Sequence, residues 1–335
     1  MPLRRHSPRR RVSSWGALRR RILTPDMTAT KLAVRGFPVK SDESRETLES
    51  IGRNFLTGYG FAAEARSAAA AEANLERVPA RYRGFAYEGA AMGFAVRDGL
   101  PFGRGGRVAE FFGGRADAHI YMTYVGIGWA MARLPRFRWN ALYLPDPLLR
   151  WLALDGYGFH QAYFHTDRYV RQQFRDPSFP WPSGKHNWYA NRAIDQGIGR
   201  AMWFVCGTDI TLLTRILDSF PEHRRPDLYS GSGLAATYAG GVDEAELRAL
   251  RDAAGEYLPH VAQGAAFAAG ARVRADLVEP HNELATQVLC AMSVAQAAKV
   301  TDEALPDEGD KDEDELPLFE VWRQRIANEF VAFGR

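Results

Sequence analysis

The chain has 335 residues, of which 46% are hydrophobic and 25% are charged, and its formal net charge is +3. These values are near those of average globular proteins, so they exclude a fibrous chain and a wholly disordered one. A chain of this length buries enough apolar surface to fold without disulfide or metal staples. Its longest apolar stretch, residues 119–134, is too short to cross a bilayer, and we therefore predict no membrane span.

The charges are concentrated at the two ends of the chain. Eight arginines lie between Arg4 and Arg21, and we interpret residues 1–14 as a disordered basic leader that either contacts nucleic acid or anionic lipid or is simply solvated. The leader lacks the apolar core of a secretory signal, so we expect a cytoplasmic protein. Residues 301–315 carry nine carboxylates and are predicted to form an acidic linker. The remaining body is near neutral, so no nucleic-acid partner is predicted.

The first predicted element is an amphipathic helix after Ser41, where the run Ser-Asp-Glu-Ser is typical of a helix start. Beyond it, a helix rich in glycine and alanine occurs six times. Its first glycines are 30 to 41 residues apart, the spacing of helical-hairpin repeats: Gly89, Gly126, Gly156, Gly197, Gly231 and Gly264. The sequence therefore predicts an all-α fold, a helical-hairpin (α/α) repeat array over residues 15–300 that forms a solenoid or a closed toroid.

Two further elements follow from the pattern. Residues 175–184 contain three prolines, which predicts an extended loop because proline breaks helices. Residues 316–335 are predicted to form a C-terminal capping helix that turns Leu318, Trp322 and Phe330 toward the body.

A second small residue stands four positions after each first glycine, with the exception of His160. Small residues one turn apart let a neighbouring helix lie close, and a large polar residue there breaks the local rule, as functional residues often do. We predict His160 as an acid or base, with Asp155, Glu88 or Asp195 orienting it or protonating a substrate. Two alternatives stay open. His160 is a hydrogen-bonded core residue, or the carboxylates are paired with arginines such as Arg192 or Arg200.

Aromatic side chains cluster on or near the glycine-rich helices and would suit an extended, unsaturated or aromatic ligand if they line a concavity, although core packing explains them equally well. The predicted substrate-binding residues are Tyr157, Tyr163, Trp129, Tyr238, His165, His281 and Glu283. His281 and Glu283 follow a proline at a predicted helix start, where the alternative is that Asn282 or Glu283 caps the helix.

No sequence motif predicts a metal or a cofactor. Cys206 and Cys290 each lie in an apolar helical pattern, which predicts buried, reduced thiols. His160 and His165 are five residues apart, a poor spacing for zinc on one helix. The Gly-x-Gly pairs lack the preceding strand and third glycine of a dinucleotide motif, and hydrolase, metalloprotease and kinase motifs are also missing. We therefore predict no metal site and no cofactor.

Several strings together resemble a known family, among them Asp155-Gly-Tyr-Gly-Phe-His, Asp195-Gln-Gly-Ile-Gly-Arg and Ser230-Gly-Ser-Gly-Leu-Ala-Ala-Thr-Tyr-Ala-Gly-Gly. The family is an uncharacterised bacterial one, a domain of unknown function whose members are encoded in enediyne polyketide gene clusters. The resemblance covers about residues 15–298. It implies a role in turning a linear polyene from a polyketide synthase into an enediyne core, and it carries no established catalytic residues.

Two functions follow as hypotheses. In the first, the protein is an enzyme of enediyne antibiotic biosynthesis that acts on a hydrophobic polyene or a cyclising intermediate, with His160 as its acid or base. In the second, it is a non-catalytic helical-repeat scaffold that sequesters the product or docks other pathway proteins. The lone large polar residue on the small-residue strip favours the first, and the missing catalytic motif favours the second.

Overall fold

The protein is described by a computed structural model that covers residues 14–100, 105–307 and 315–332. Within these ranges the fold is all-helical and contains no strand. The helices are α1 (Ser14–Leu23), α2 (Leu32–Arg35), α3 (Asp42–Glu64), α4 (Ala68–Leu75), α5 (Ala80–Gly99), α6 (Arg107–Phe112), α7 (Ile120–Met131), α8 (Trp151–Phe164), α9 (Ala190–Val205), α10 (Ile210–Ser219), α11 (Arg225–Ala239), α12 (Glu244–Ala254), α13 (Leu258–Arg274), α14 (Pro280–Leu289), α15 (Val294–Glu303) and α16 (Leu318–Ala332). The predicted all-α class is confirmed.

Seven of these helices pack in chain order, each against the next: α3, α5, α7, α8, α9, α11 and α13. The predicted start of α3 is confirmed, because Ser41 accepts a hydrogen bond from the Ser44 amide at 3.1 Å and caps the helix. The six helices that carry the predicted glycines, α5 to α13, are therefore direct neighbours in this series. Intervening helices such as α10 and α12 keep one face exposed.

Glycines set the distance between these neighbours. At Gly197 of α9, a Cβ atom would overlap the Asp155 carbonyl oxygen of α8, and at Gly199 it would overlap the Leu228 carbonyl oxygen of α11. Two residues are 200° apart around a helix, so the two glycines of each Gly-x-Gly pair face opposite neighbours. The sequence predicts one strip of small residues on each helix, formed by residues four positions apart, and the structure adds a second strip on the opposite side of the helix.

The same contact recurs from helix to helix. The first glycine of a helix meets the carbonyl group of the residue just before the first glycine of the preceding helix, as Gly126 meets Glu88, Gly156 meets Val125 and Gly264 meets Ser230. Residues that precede the first glycine therefore stand at one level across the series. This common level positions Glu88, Asp155 and Gln196 near one another.

Both ends of the described chain pack on this series. Helix α1 lies on α3, and α16 lies on α13 with Trp322, Ile326 and Phe330 buried, as the predicted last helix requires. In α16, Arg323 donates to Asp227 of α11 at 2.7 Å and to Glu320 at 3.1 Å. Burial alone would raise the pKa of Asp227, but the guanidinium groups of Arg323 and Arg192 hold it below its ordinary value. A buried ion-pair network thus fixes α16.

The predicted segment boundaries differ slightly from the structure. Helix α1 begins at Ser14, and residues 1–13 of the basic leader lie outside the described residues. Helix α15 continues to Glu303, so the acidic stretch begins inside a helix, while residues 308–314 are not among those described. Within the described residues, no helix combines the length and apolar character that a membrane crossing needs. Cys206 and Cys290 are buried free thiols, as predicted.

Candidate functional site

An apolar cavity lies among the glycine helices. Six helices, α3, α5, α7, α8, α9 and α11, contribute to its wall, and residues Pro25, Ala29 and Thr30 line it from the segment after α1. Aromatic rings dominate the lining: Phe55, Phe85, Trp129, Phe159, Tyr163, Phe164, Phe204 and Tyr238. Trp129 lies 4.5 Å from Phe55 and 5.1 Å from Phe159 between ring centroids, so neighbouring aromatic rings of the lining are in contact.

One end of this cavity is polar. Glu88 of α5 and Arg200 of α9 line it, and Arg200 Nη2 lies 3.9 Å from Glu88 Oε1. Arg200 Nε also lies 2.8 Å from Asp155 Oδ1 as an ion pair without hydrogen-bond alignment. A second cavity lies next to it, and Arg200 and Tyr238 line both. We call the group of Glu88, Asp155, Gln196 and Arg200 the polar layer.

The polar layer follows from the helix register. Glu88, Asp155 and Gln196 each precede a first glycine and therefore stand at one level, and Gln196 Nε2 donates to Asp155 Oδ2 at 2.8 Å. Arg200 is one turn beyond Gln196 on α9, so both face the same side. Burial raises the pKa of Glu88 to about 7, although Arg200 favours its ionised form. Glu88 can therefore hold or release a proton near neutral pH.

His160 lines the apolar cavity, but it stands away from the carboxylates assigned to assist it. Its ring centroid lies 5.5 Å from Trp129 and 4.7 Å from Phe164. Its Nδ1 lies 3.4 Å from Gln161 Oε1, a long hydrogen bond. Burial lowers the pKa of His160 to about 3. The imidazole is thus neutral near pH 7 and behaves as an aromatic wall residue with one weak polar contact.

Asp195 and Tyr157 lie elsewhere, beside a polar cleft that Arg136 and Arg224 also line. Asp195 forms a two-point ion pair with Arg224, with Oδ1 at 2.6 Å from Nη2 and Oδ2 at 3.0 Å from Nε. The expected pairing of Asp195 is therefore present, but its partner is Arg224, which is neither of the arginines named from the sequence. Tyr157 accepts a hydrogen bond from Gln161 at 2.9 Å.

The last three predicted site residues, His165, His281 and Glu283, are not part of the cavity lining. His165 is exposed at the end of α8. His281 Nε2 lies 3.2 Å from the Tyr238 carbonyl oxygen, behind the cavity wall. Glu283 accepts a hydrogen bond from the Val294 amide at 3.0 Å, which stabilises the start of α15. The helix-capping alternative is thus confirmed for Asn282, which accepts a hydrogen bond from the Glu279 amide at 2.8 Å at the start of α14. Glu283 caps the next helix instead.

Of the residues predicted from the sequence, the cavity wall brings together Glu88, His160, Trp129, Tyr163 and Tyr238, while Asp155 contacts the wall through Arg200. From the sequence, Arg200 was predicted only as a possible ion-pair partner of a carboxylate. The position of Arg200 could have indicated a role in the site, because it is a charged residue three positions after a first glycine on a helix of small and apolar residues. Among the described residues, no group of three potential ligands is placed to hold a metal ion.

The fold and the cavity define an all-helical protein with an aromatic-lined cavity and an ionisable layer at one end of it. The sequence model of a family described as "Protein of unknown function (DUF1702)" matches residues 14–330. The chain belongs to this family. No curated protein matches the chain. Likewise, no solved structure matches it.

Proposed function

We propose that the protein binds an extended, unsaturated hydrophobic molecule in the apolar cavity and acts on it in specialised-metabolite biosynthesis. The observation that carries the proposal is the wall of eight aromatic side chains with an ionisable carboxyl group at one end. Aromatic faces favour flat conjugated chains. The sequence resemblance to enediyne-cluster proteins points to a linear polyene or a cyclising intermediate made by a polyketide synthase.

We further propose Glu88, and not His160, as the acid or base of this site. A general acid or base works best when its pKa is near the operating pH. The pKa of about 7 for Glu88 meets that condition, whereas the pKa of about 3 makes His160 a weak base and a poor acid. Glu88 would move a proton from one carbon of the chain to another, which changes double-bond positions without net oxidation.

The glycine contacts and the buried thiols agree with this proposal. The contact between a first glycine and the preceding helix recurs along the series, which supports an α/α repeat array closed around the cavity. The buried free thiols support a reducing, cytoplasmic location. A non-catalytic role is the second candidate, because Pro25, Ala29 and Thr30, from the segment after α1, line the cavity and would cover a sequestered product. In that role the protein would hand its ligand to other pathway enzymes.

The test is binding of diphenylhexatriene, a linear polyene hydrocarbon that fluoresces when it leaves water. We expect saturable binding to the wild type and weaker binding to Ala235→Leu, because Ala235 lines the cavity and a larger side chain takes up ligand space. Ala253→Leu, at an exposed position of α12, is the matched control. Equal binding by both variants, or none by the wild type, would count against the cavity as a ligand site.

Catalysis and carriage are separated by a second measurement. If the protein is an enzyme, a strain with Glu88→Gln accumulates the same linear precursor as a strain that lacks the gene. If the protein is a carrier, Glu88→Gln supports wild-type product levels, because a neutral amide of the same shape keeps the cavity intact.

A further inference from the structure

Three hydrogen-bond donors of the apolar cavity form no well-aligned hydrogen bond with the described part of the chain. They are the indole N–H of Trp129, the Nη2 group of Arg200 and the hydroxyl of Tyr238. Their residues are 8%, 6% and 3% exposed, and all three line the cavity. Buried donors in folded proteins are almost always paired, and each unpaired one costs stability. The Glu88 carboxyl group interacts with Trp129 and lies 3.9 Å from Arg200 Nη2, whereas the Tyr238 hydroxyl has no acceptor among the described residues. The three donors around one cavity therefore favour an acceptor that a ligand brings.

The three donors come from three different helices. Trp129 lies on α7, Arg200 on α9 and Tyr238 on α11, and their neighbour Glu88 on α5 lies 3.9 Å from Arg200. These helices cannot shift easily relative to one another, because glycines place their backbones in direct contact. At Gly84 of α5, a Cβ atom would overlap the Tyr238 hydroxyl oxygen, so this glycine leaves the room that the hydroxyl occupies. The donors are held in place before a ligand arrives.

The charges nearby favour a neutral acceptor over an anion. Arg200 already lies 2.8 Å from Asp155, and Glu88 is the second carboxyl group beside it. Beside Arg200, a ligand carboxylate would meet two carboxyl groups and one guanidinium in a buried site, which is electrostatically unfavourable. The other arginine of the cavity lining, Arg133, is exposed to solvent, which screens its charge. A carbonyl oxygen accepts two or more hydrogen bonds without adding a net charge.

We infer that the polar end of the cavity binds the carbonyl oxygen of a conjugated ketone, ester or thioester, held by donors from Trp129, Arg200 and Tyr238. The inference rests on the proposed function and names the substrate class of that same site. Hydrogen bonds to the carbonyl oxygen polarise the conjugated chain. Glu88 removes a proton from the saturated carbon next to the conjugated chain, and the C–H electron pair moves through the chain to the carbonyl oxygen. The proton returns to another carbon, so the product is an isomer.

The experiment compares two probes of equal length, a linear trienone with an alkyl tail and the corresponding triene hydrocarbon. We expect the wild type to bind the trienone at least tenfold more tightly, and to shift its absorption band to longer wavelength because its carbonyl accepts hydrogen bonds. In Tyr238→Phe, the affinity for the trienone falls about five- to tenfold and that for the hydrocarbon stays the same. Tyr257→Phe, which removes another buried hydroxyl without a partner outside the cavity lining, changes neither affinity.

Thermal unfolding of the empty protein gives an independent readout. Because the Tyr238 hydroxyl has no partner without ligand, Tyr238→Phe keeps or raises the unfolding temperature, whereas loss of a structural hydroxyl lowers it. Trp129→Phe removes the indole donor and repeats the affinity test if Tyr238→Phe does not fold.

The outcomes separate the two proposals. Equal wild-type affinities for trienone and hydrocarbon, or tighter binding of the matching carboxylic acid at pH 8, would overturn the carbonyl site and leave the apolar ligand site standing. Binding of neither probe would overturn the proposed function as well.

Discussion

Glu88 and His160 line the same cavity, and burial shifts their pKa values in opposite directions because it disfavours whichever form is charged. The pKa of Glu88 rises to about 7 and that of His160 falls to about 3. Both groups are therefore neutral in mildly acidic solution. As the pH rises toward 7, the carboxyl group ionises while the imidazole stays neutral. This difference is the residue-scale reason to assign proton transfer to Glu88.

The substitution Glu88→Gln tests the raised pKa. The ordinary pKa of this carboxyl group is 4.5, so the folded protein holds a proton that the unfolded chain releases between pH 4.5 and 7. Its stabilising effect is fully present below pH 4.5 and is lost as the pH rises through 7. We expect the free energy of unfolding of the wild type, relative to Glu88→Gln, to fall by about 3 kcal/mol over this range.

Urea unfolding at a series of pH values measures this difference. Glu244→Gln, at a half-exposed ion pair on α12, controls for the change in net charge. A difference between wild type and Glu88→Gln that stays constant with pH would contradict the assignment.

The substitution His160→Phe gives an effect of opposite sign. The folded protein keeps His160 unprotonated down to about pH 3, while the unfolded chain binds a proton below its ordinary value of 6.5. Wild-type stability is thus present above pH 6.5 and is lost as the pH falls toward 3. We expect the stability of His160→Phe relative to the wild type to rise by about 2 kcal/mol between pH 8 and pH 5. The same unfolding series measures it, and a change in the other direction would show that the folded imidazole takes up a proton.

At the scale of the elements, the close packing of helix pairs depends on glycines that cannot carry a Cβ atom. In α9, Gly197 meets the Asp155 carbonyl oxygen of α8, and Gly199 meets the Leu228 carbonyl oxygen of α11. Each glycine weakens its own helix by about 1 kcal/mol relative to alanine. Direct contact between backbones on both sides of the helix offsets that cost.

We expect Gly197→Ala to destabilise the protein by about 3 kcal/mol, because the added methyl group must push two helix backbones apart. Gly113→Ala is the matched control, since its methyl group would meet its nearest neighbour at an ordinary 3.5 Å. Its stability should lie within about 0.5 kcal/mol of the wild type. Chemical unfolding measures both variants. Equal stabilities would show that the helices adjust to the methyl group.

The helices themselves were largely predictable from the sequence. The start of α3 at Ser41, the glycine helices and the last amphipathic helix follow from caps, glycine spacing and apolar periodicity. The opposite directions of the two glycines in each pair were missed. Residues one turn apart predict only one face of each helix, because the sequence does not show which neighbour lies on the far side.

At the scale of the whole molecule, Arg272 ties the last glycine helix to earlier parts of the chain. Its guanidinium donates to the Tyr238 carbonyl oxygen at 2.7 Å and to the Arg81 carbonyl oxygen at 3.2 Å. It also lies 4.0 Å from the Tyr238 ring centroid. Burial lowers the pKa of Arg272. One side chain of α13 thus joins α5 and α11 beside the cavity.

We expect Arg272→Met to destabilise the protein by about 2–3 kcal/mol, because buried carbonyl groups on other helices lose their donor. Arg274→Met, on the same helix, removes an exposed ion pair with Asp117 and should cost about 0.5 kcal/mol or less. Thermal and urea unfolding measure both variants. If the two variants were equally stable, Arg272 would not join these parts of the fold.

The sequence by itself determined the helical class, the positions of the glycine helices and the burial of both cysteines, because caps, apolar periodicity and glycine spacing are local features of the chain. Only the tertiary structure decided which polar residues share a site. Glu88 and Arg200 are 112 residues apart and meet because backbone contacts at successive glycines bring their helices to one level. Asp195 is five residues from Arg200 yet pairs with Arg224 on another side of α9, since a rotation of the helix separates the two faces.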